Sequence, residues 1–341
     1  LMIRAPPRST LFTYATLFRS TNFMNIGIDG IEHSYNSILA STTGTEIGMK
    51  IDRGKYLTQP EKVYENSPQN SDTIVLTIDE YIQNIAESIL EQGCAKWRCP
   101  RGTAIVMRSM TGEILAMANY PNYNLNHHTK TPEISKRNNA IWMEYEPGSI
   151  FKIVTATAVL NEGIHTPDSE FYCDNGEITL PNGHVIRDVK NNATLTLSEI
   201  VQKSSNIGIM KAARHLPHVK FQDYVSRFKF GQRTGIDLPY ERTGSLWGLR
   251  VWDEHLSATV PFGQGISVTL LQMLCAINTV AGCTALADAC GRGALAKCTE
   301  IDLSNNPASG DARHAVQDAL RRRWLDGEFL ATHLNEATSL D

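Results

Sequence analysis

The sequence predicts a mixed α/β chain of the α+β type, and three observations carry that prediction. Two β-rich runs, Gly102–Met107 and residues 113–119, flank the turn-like Ser109-Met-Thr-Gly112 and read as a hairpin. Two apolar runs, 149–160 and 269–280, have the length and composition of buried helices. Between them, 196–202 leading into 206–214, and then 219–228, carry further helical patterns, with no internal repeat or low-complexity tract.

Each element has a local signal. Residues 21–70 are polar, with Gly27, Gly30, Gly44, Gly48 and Gly54, and read as the end of a small accessory region plus a linker. Residues 73–79 are β-branched and apolar, which predicts a strand. Asp79 then caps a helix to about Gln92, with Ile82, Ile85, Ala86, Ile89 and Leu90 on one face. The stretch 120–140, rich in Pro, Asn and His, reads as loop. Pro147-Gly148 breaks the chain just ahead of the first buried helix, and Gly163 ends that helix. Residues 231–244 are glycine-rich around Pro239 and predict another loop.

The two ends differ from this middle. Thr10-Leu-Phe-Thr-Tyr-Ala-Thr-Leu-Phe-Arg-Ser20 resembles a translated sequencing-adapter read, so residues 1–20 are expected to be an artefactual leader. From Gly282 to Asp341 the chain becomes rich in Ala, Arg, Asp and Cys, and the expected strand signals are missing. A helix over 312–325 would have a poor apolar face because of its arginine triplet 321–323. A linker, a disordered tail or a shifted reading frame after about residue 281 fits such a change.

Composition narrows the function classes. The 341 residues are 42% apolar and 20% charged, with mixed charges and a net charge of −4. Nothing there points to nucleic acid or a polybasic membrane contact. Of seven cysteines, none stands in a C-x-x-C pair, so no zinc site is expected; Cys94 and Cys99 are close enough to pair, but chance placement explains their spacing. His127 and His128 read as loop residues, and no cofactor or metal site is expected. No run of about 18 apolar residues offers a transmembrane helix.

The chemistry-bearing pattern is Ser149-Ile-Phe-Lys152. Residues three apart on a helix share a face, with Cβ atoms about 5–6 Å apart. A lysine among Ile150, Phe151, Ile153 and Val154 would lose solvation, its pKa would fall, and its neutral amine would take the serine proton. A serine in the first turn also offers its backbone N–H, at the positive helix end, to an oxyanion. The bare pattern is weak, because Ser226-Arg-Phe-Lys229 repeats it in an ordinary amphipathic helix. Likewise Ser204-Ser-Asn206 fits S-x-N, but so do Ser34-Tyr-Asn36 and Ser304-Asn-Asn306.

Order and context are more specific. Leu76-Thr-Ile-Asp-Glu-Tyr-Ile-Gln83, Gly102–Met107 and Thr111-Gly-Glu-Ile-Leu-Ala116 precede Tyr145-Glu-Pro-Gly-Ser-Ile-Phe-Lys-Ile-Val154. Ser204-Ser-Asn-Ile-Gly208, Phe230-Gly-Gln-Arg-Thr-Gly-Ile-Asp-Leu-Pro239 and Pro261-Phe-Gly-Gln-Gly-Ile-Ser-Val-Thr269 follow. In this order, over about residues 25–281, the chain closely resembles class B penicillin-binding proteins, the peptidoglycan transpeptidases of division and elongation. The resemblance implies a penicillin-binding/β-lactamase-like transpeptidase fold, an antiparallel sheet flanked by helices, with the transpeptidase domain at 71–281.

It also implies roles. Ser149 matches the acylated nucleophile, Lys152 its activating base, and Ser204 and Asn206 the motif that relays protons and holds the substrate amide. Peptidoglycan stem peptides are the implied substrates, β-lactams the covalent inhibitors, and other cell-wall synthesis proteins the partners. The implied location is the outward face of the bacterial cytoplasmic membrane, with no membrane anchor in this chain. The family's Lys-Thr-Gly strand motif is absent where it is expected, at Thr332-His-Leu-Asn-Glu-Ala337. Arg233-Thr-Gly235 and Arg242-Thr-Gly-Ser245 come close in text but lie about 100 residues early. Without that strand an impaired site and an incomplete sheet are expected. The alternatives are a non-catalytic penicillin-binding scaffold or sensor with 282–341 as interaction tail, and a shared-fold β-lactamase; the accessory region and the text at 230–239 and 261–269 argue against the latter.

Overall fold

The computed structural model describes residues 18–21, 27–39, 46–50, 61–64, 74–123 and 132–291. They fall into two compact units. The first is drawn from Leu1–Val106, Ile114–Asn139 and Ile236–Tyr240. The second is drawn from Met107–Glu113, Ala140–Gly235 and Glu241–Asp341.

In the first unit, β1 (Phe18–Thr21) pairs antiparallel with β2 (Gly27–Asp29), followed by the short helices α1 (Gly30–Ser34) and α2 (Asn36–Leu39). A second antiparallel pair joins β3 (Glu46–Lys50) and β4 (Glu61–Tyr64). The strand expected at 73–79 does not form: residues 74–79 carry no ladder. They are instead tied to the chain at 114–115 by Asp79 N–H donating to Leu115 O (2.9 Å) and the Thr77 hydroxyl to Ile114 O (2.7 Å). β-Propensity alone does not make a strand where a side-chain hydroxyl takes the place of the backbone donor.

Asp79 caps α3 (Glu80–Trp97) as expected, its carboxylate accepting from Tyr81 and Ile82 N–H at 3.0 Å each. The helix outruns its expected end by five residues. Its buried positions are Gln83 and Cys94, while Ile85 and Ile89 of the expected apolar face are exposed. Gln83 tolerates burial because both ends of its amide bond Met117, accepting from its N–H at 2.6 Å and donating to its carbonyl at 3.1 Å. The hairpin forms as predicted, from β5 (Gly102–Met107) and β6 (Ile114–Tyr120). In the expected loop 120–140, residues 124–131 with His127 and His128 lie outside the described residues, and α4 (Glu133–Lys136) and α5 (Asn139–Trp142) are single helical turns.

The second unit carries the predicted helices. After β7 (Glu144–Tyr145), a 3₁₀ turn at Gly148–Phe151 runs into α6 (Lys152–Asn161). Two small antiparallel pairs follow, among β8 (Glu170–Tyr172), β9 (Glu177–Thr179), β10 (Val185–Arg187) and β11 (Thr194–Thr196). β8 pairs with β11 and β9 with β10. Then come α7 (Leu197–Lys203), α8 (Asn206–Ala213), α9 (His218–Arg227), α10 (Trp247–Val251) and α11 (Glu254–Thr259). The chain closes on β12 (Val268–Thr269), which pairs with β7, and α12 (Leu270–Gly291). α12 continues nine residues past Gly282, where the composition changes. Residues 292–341, with Ser304 and Asn306, lie outside the described residues.

One apolar core holds this unit together. Phe151, Val154, Ile200, Ile207, Phe221 and Phe230 are all at or below 1% exposure within it. Each such side chain stabilises by about 1.5–3 kcal/mol on burial. The Phe151 ring meets Phe221 and Phe230 at centroid distances of 6.5 and 5.4 Å. α6 is therefore fixed from its first turn. Among the described residues, no helix is long and apolar enough to cross a membrane.

Candidate active site

The site begins with a sharp turn. Gly148 has φ +58, a conformation glycine adopts freely, and it turns the chain from Pro147 into the 3₁₀ turn carrying Ser149. Its N–H donates to Gly263 O at 3.0 Å. Gly263 itself leaves no space: a Cβ there would lie 2.3 Å from Gly148 O and 2.7 Å from Gly148 N. Thr155 adds a second tie to the same loop, its hydroxyl donating to Pro261 O at 2.7 Å. The Pro261-Phe-Gly segment, picked out in the sequence as family text, is thus the bed on which the Ser149 turn rests.

Ser149 is exposed, whereas Lys152, one turn on, is 1% exposed. The expected apolar surround is confirmed at Phe151 and Val154, both 0% exposed, and corrected at Ile150, which is 45% exposed. Ile150 points outward because residues 149 and 150 stand on the open side of the turn. The Lys152 Nζ donates to Ser149 Oγ at 3.0 Å, Ser204 Oγ at 2.9 Å and Ser204 O at 2.7 Å. All three ammonium protons are thus used. Burial pushes its pKa down to about 8, opposed by the negative charge of Asp188. At pH 7 about a tenth of such lysines are neutral amines, against fewer than one in a thousand for an ordinary lysine.

Ser204 reaches the lysine from the end of α7. Thr196 starts that helix with a capping box: its hydroxyl accepts from Glu199 N–H at 3.2 Å and Glu199 accepts from Thr196 N–H at 3.1 Å. The helix ends on Ser204 in the left-handed region, φ 57 and ψ 41. Ser205 then caps α8, accepting from Gly208 N–H at 2.9 Å. Asn206 opens α8, and its side-chain amide donates to Arg187 O at 2.9 Å. Of the four residues singled out from sequence, Ser149, Lys152 and Ser204 form one hydrogen-bonded cluster, and Asn206 stands two residues beyond it.

Sequence reading missed Asp188. Its carboxylate accepts from Ser205 Oγ (2.6 Å), Asn206 N–H (2.6 Å) and Ile207 N–H (3.1 Å). No short motif contains it, and a single aspartate after a strand carries no signal of its own. Neither stand-in for Lys-Thr-Gly lies in a strand. Thr234 and Gly235 N–H bind the buried Glu241 carboxylate at 2.7 and 3.2 Å, and Ser245 forms only an isolated bridge with Ser267. Cys94, Cys99, Cys173 and Cys275 are free thiols, so Cys94 and Cys99 do not pair.

A buried lysine that follows an exposed serine by one turn, with a second serine on its amine, can serve as the base for a serine nucleophile. Residues 102–323 match the penicillin binding protein transpeptidase domain. The chain is 34% identical over 262 residues to the peptidoglycan D,D-transpeptidase FtsI of Escherichia coli K12, covering 76% of this chain and 43% of that protein. Stage V sporulation protein D of Bacillus subtilis is 33% identical over 258 residues, covering 74% of this chain and 40% of that protein. The chain therefore spans less than half the length of these curated relatives. Penicillin binding protein 3 of Mycobacterium tuberculosis, solved in complex with ampicillin, superposes with a TM-score of 0.68 at 28% identity over 80% of this chain and 56% of that one. The same protein has been solved with aztreonam, with a TM-score of 0.67. With residues 102–323 matching the family domain and these relatives aligned over about three quarters of the chain, the chain belongs to the penicillin-binding protein transpeptidase family, in its class B branch.

Proposed function

We propose that this chain carries the acylating site of a serine D,D-transpeptidase that cross-links peptidoglycan stem peptides. The observation that carries the reading is the 1%-exposed Lys152 ammonium, 3.0 Å from Ser149 Oγ and 2.9 Å from Ser204 Oγ. The neutral Lys152 amine takes the proton of Ser149 as Oγ attacks the penultimate carbonyl of the donor stem. The tetrahedral intermediate collapses with cleavage of the peptide C–N bond. Lys152 returns the proton through Ser204 to the departing D-alanine amine, leaving an acyl-serine. The amine of a second stem then attacks the ester, forms the cross-link and frees Ser149. Asn206 holds the donor amide with its own amide group. β-Lactams enter by the first half of this path and remain on Ser149.

Acylation is expected to be slow. The sequence has no Lys-Thr-Gly at the expected position, and one missing oxyanion donor lowers a rate by about 10²–10³. Residues 71–281 are the proposed transpeptidase domain, with work at the outward face of the cytoplasmic membrane beside other cell-wall synthesis proteins. Fluorescent penicillin tests the reading: covalent labelling of the folded chain that vanishes in Ser149→Ala supports it, and a folded chain that never labels refutes it.

A further inference from the structure

The loop after β10 carries a carboxylate that none of the recognised motifs includes. Asp188 is anchored through its own N–H, which donates to Gly176 O at 2.9 Å, and by the β9–β10 ladder that ends one residue before it. From there it reaches three consecutive residues of another segment: the Ser205 hydroxyl and the Asn206 and Ile207 amides. Ser205 in turn accepts from the Gly208 amide. Together they satisfy the amides of residues 206, 207 and 208 at the start of α8, where a helix has no partners of its own.

The residue just ahead of this clamp is Ser204. A left-handed serine costs about 1 kcal/mol or more and persists only where its surroundings hold it. That strained geometry turns both the carbonyl and the hydroxyl of Ser204 onto Lys152 Nζ, at 2.7 and 2.9 Å. We infer that Asp188 is a positioning residue for the lysine–serine pair: its carboxylate clamps residues 205–207 so that Ser204 keeps both oxygens on Lys152, and its negative charge favours the protonated form of the lysine. The role rests on the transpeptidase reading only for the purpose of the lysine.

The charges around Asp188 are accounted for. Lys211 is engaged with Asp174 at 2.5 Å, and Arg187 with Glu177 at 2.7 Å. Cys173 Sγ lies 3.5 Å from the Ser205 hydroxyl, and burial raises its thiol pKa. Asp188→Asn keeps an oxygen for the two amides and loses the charge. Asp188→Ala loses the clamp as well.

The test reads the lysine directly. In full-length protein labelled with ¹³C-lysine, the Lys152 Cε resonance is assigned by its disappearance in Lys152→Arg and titrated between pH 5 and 11. Asp188→Asn should lower the midpoint by roughly half a unit or more. Glu170→Gln, which removes an exposed charge from β8, should leave it in place. In parallel, the acid limb of penicillin acylation should move to lower pH in Asp188→Asn, while Asp188→Ala should lower the plateau at least tenfold. A folded Asp188→Asn protein with the wild-type midpoint overturns the inference, whether or not Asp188→Ala folds. If wild-type protein does not label with penicillin, the transpeptidase reading falls and the titration still decides the role of Asp188.

Discussion

Ser149-Ile-Phe-Lys152 and Ser226-Arg-Phe-Lys229 spell the same pattern in the same unit, yet only the first buries its lysine between two serines. The first opens a helix and the second closes one. Lys152 sits in the first turn of α6, where the chain plunges into the core and brings the ammonium with it to 1% exposure. Lys229 lies past the end of α9 in a left-handed residue, φ +64, and both it and Ser226 are exposed. Its backbone N–H bonds Ser226 O at 2.9 Å as part of the helix terminus. The spacing is shared, but burial and a second serine facing the amine are not. The proposed reactivity rests on what surrounds the pattern.

Four experiments probe that contrast. The largest effect is expected for the nucleophile. Ser149→Ala should remove covalent penicillin labelling altogether, whereas Ser226→Ala should leave it unchanged; labelling that survives in the former would place the chemistry elsewhere. The pH profile comes next. With Lys152 held near 8 by burial, the acylation rate should rise about tenfold per unit below pH 8 and level off above it. A profile already flat from pH 6 would mean that the amine is not the base.

Gly263→Ala should follow, since its Cβ would meet Gly148 at 2.3 Å in a backbone conformation of φ +83. We expect destabilisation of about 2–4 kcal/mol in urea unfolding, with slower acylation because the Ser149 turn must shift.

The smallest effect has the opposite sign. Lys152→Met removes a buried cation and should stabilise the protein by about 2 kcal/mol at pH 7, even after Ser204 O loses a donor. The sign follows from linkage. The folded value near 8 lies below the ordinary 10.5, so the unfolded chain binds the proton first as pH falls. The wild-type lysine therefore costs nothing above pH 10.5 and its full amount below about 8. The advantage of methionine should shrink as pH rises between those values. The exposed counterpart, Lys229→Met, should stay within about 0.5 kcal/mol of wild type.

How much was legible in the sequence differs by element. Helices with long apolar runs and clear caps were readable: Asp79, Thr196 and Gly163 mark real boundaries, and the hairpin at 102–120 follows from its turn. The strands of two or three residues were not readable. Two residues of β7 and two of β12 hold no periodicity, and their pairing is decided by where their helices dock. The opposite error occurred at 73–79, where β-branched text forms no ladder. On α3, Ile85 and Ile89 fit the helical period but face solvent, and the polar Gln83 is buried because Met117 satisfies its amide.

The sequence by itself determined the family and singled out Ser149 and Lys152 as the proposed nucleophile and base, because an ordered set of local motifs is recognisable before any fold is known. The tertiary structure decided which of the two lysines is buried, how Ser204 is turned onto it, and that Asp188 binds residues 205–207. Those arrangements depend on contacts between residues 17 to 52 positions apart in the chain. Desolvation and hydrogen-bond geometry arise only when such segments are brought together, so no local spacing encodes them.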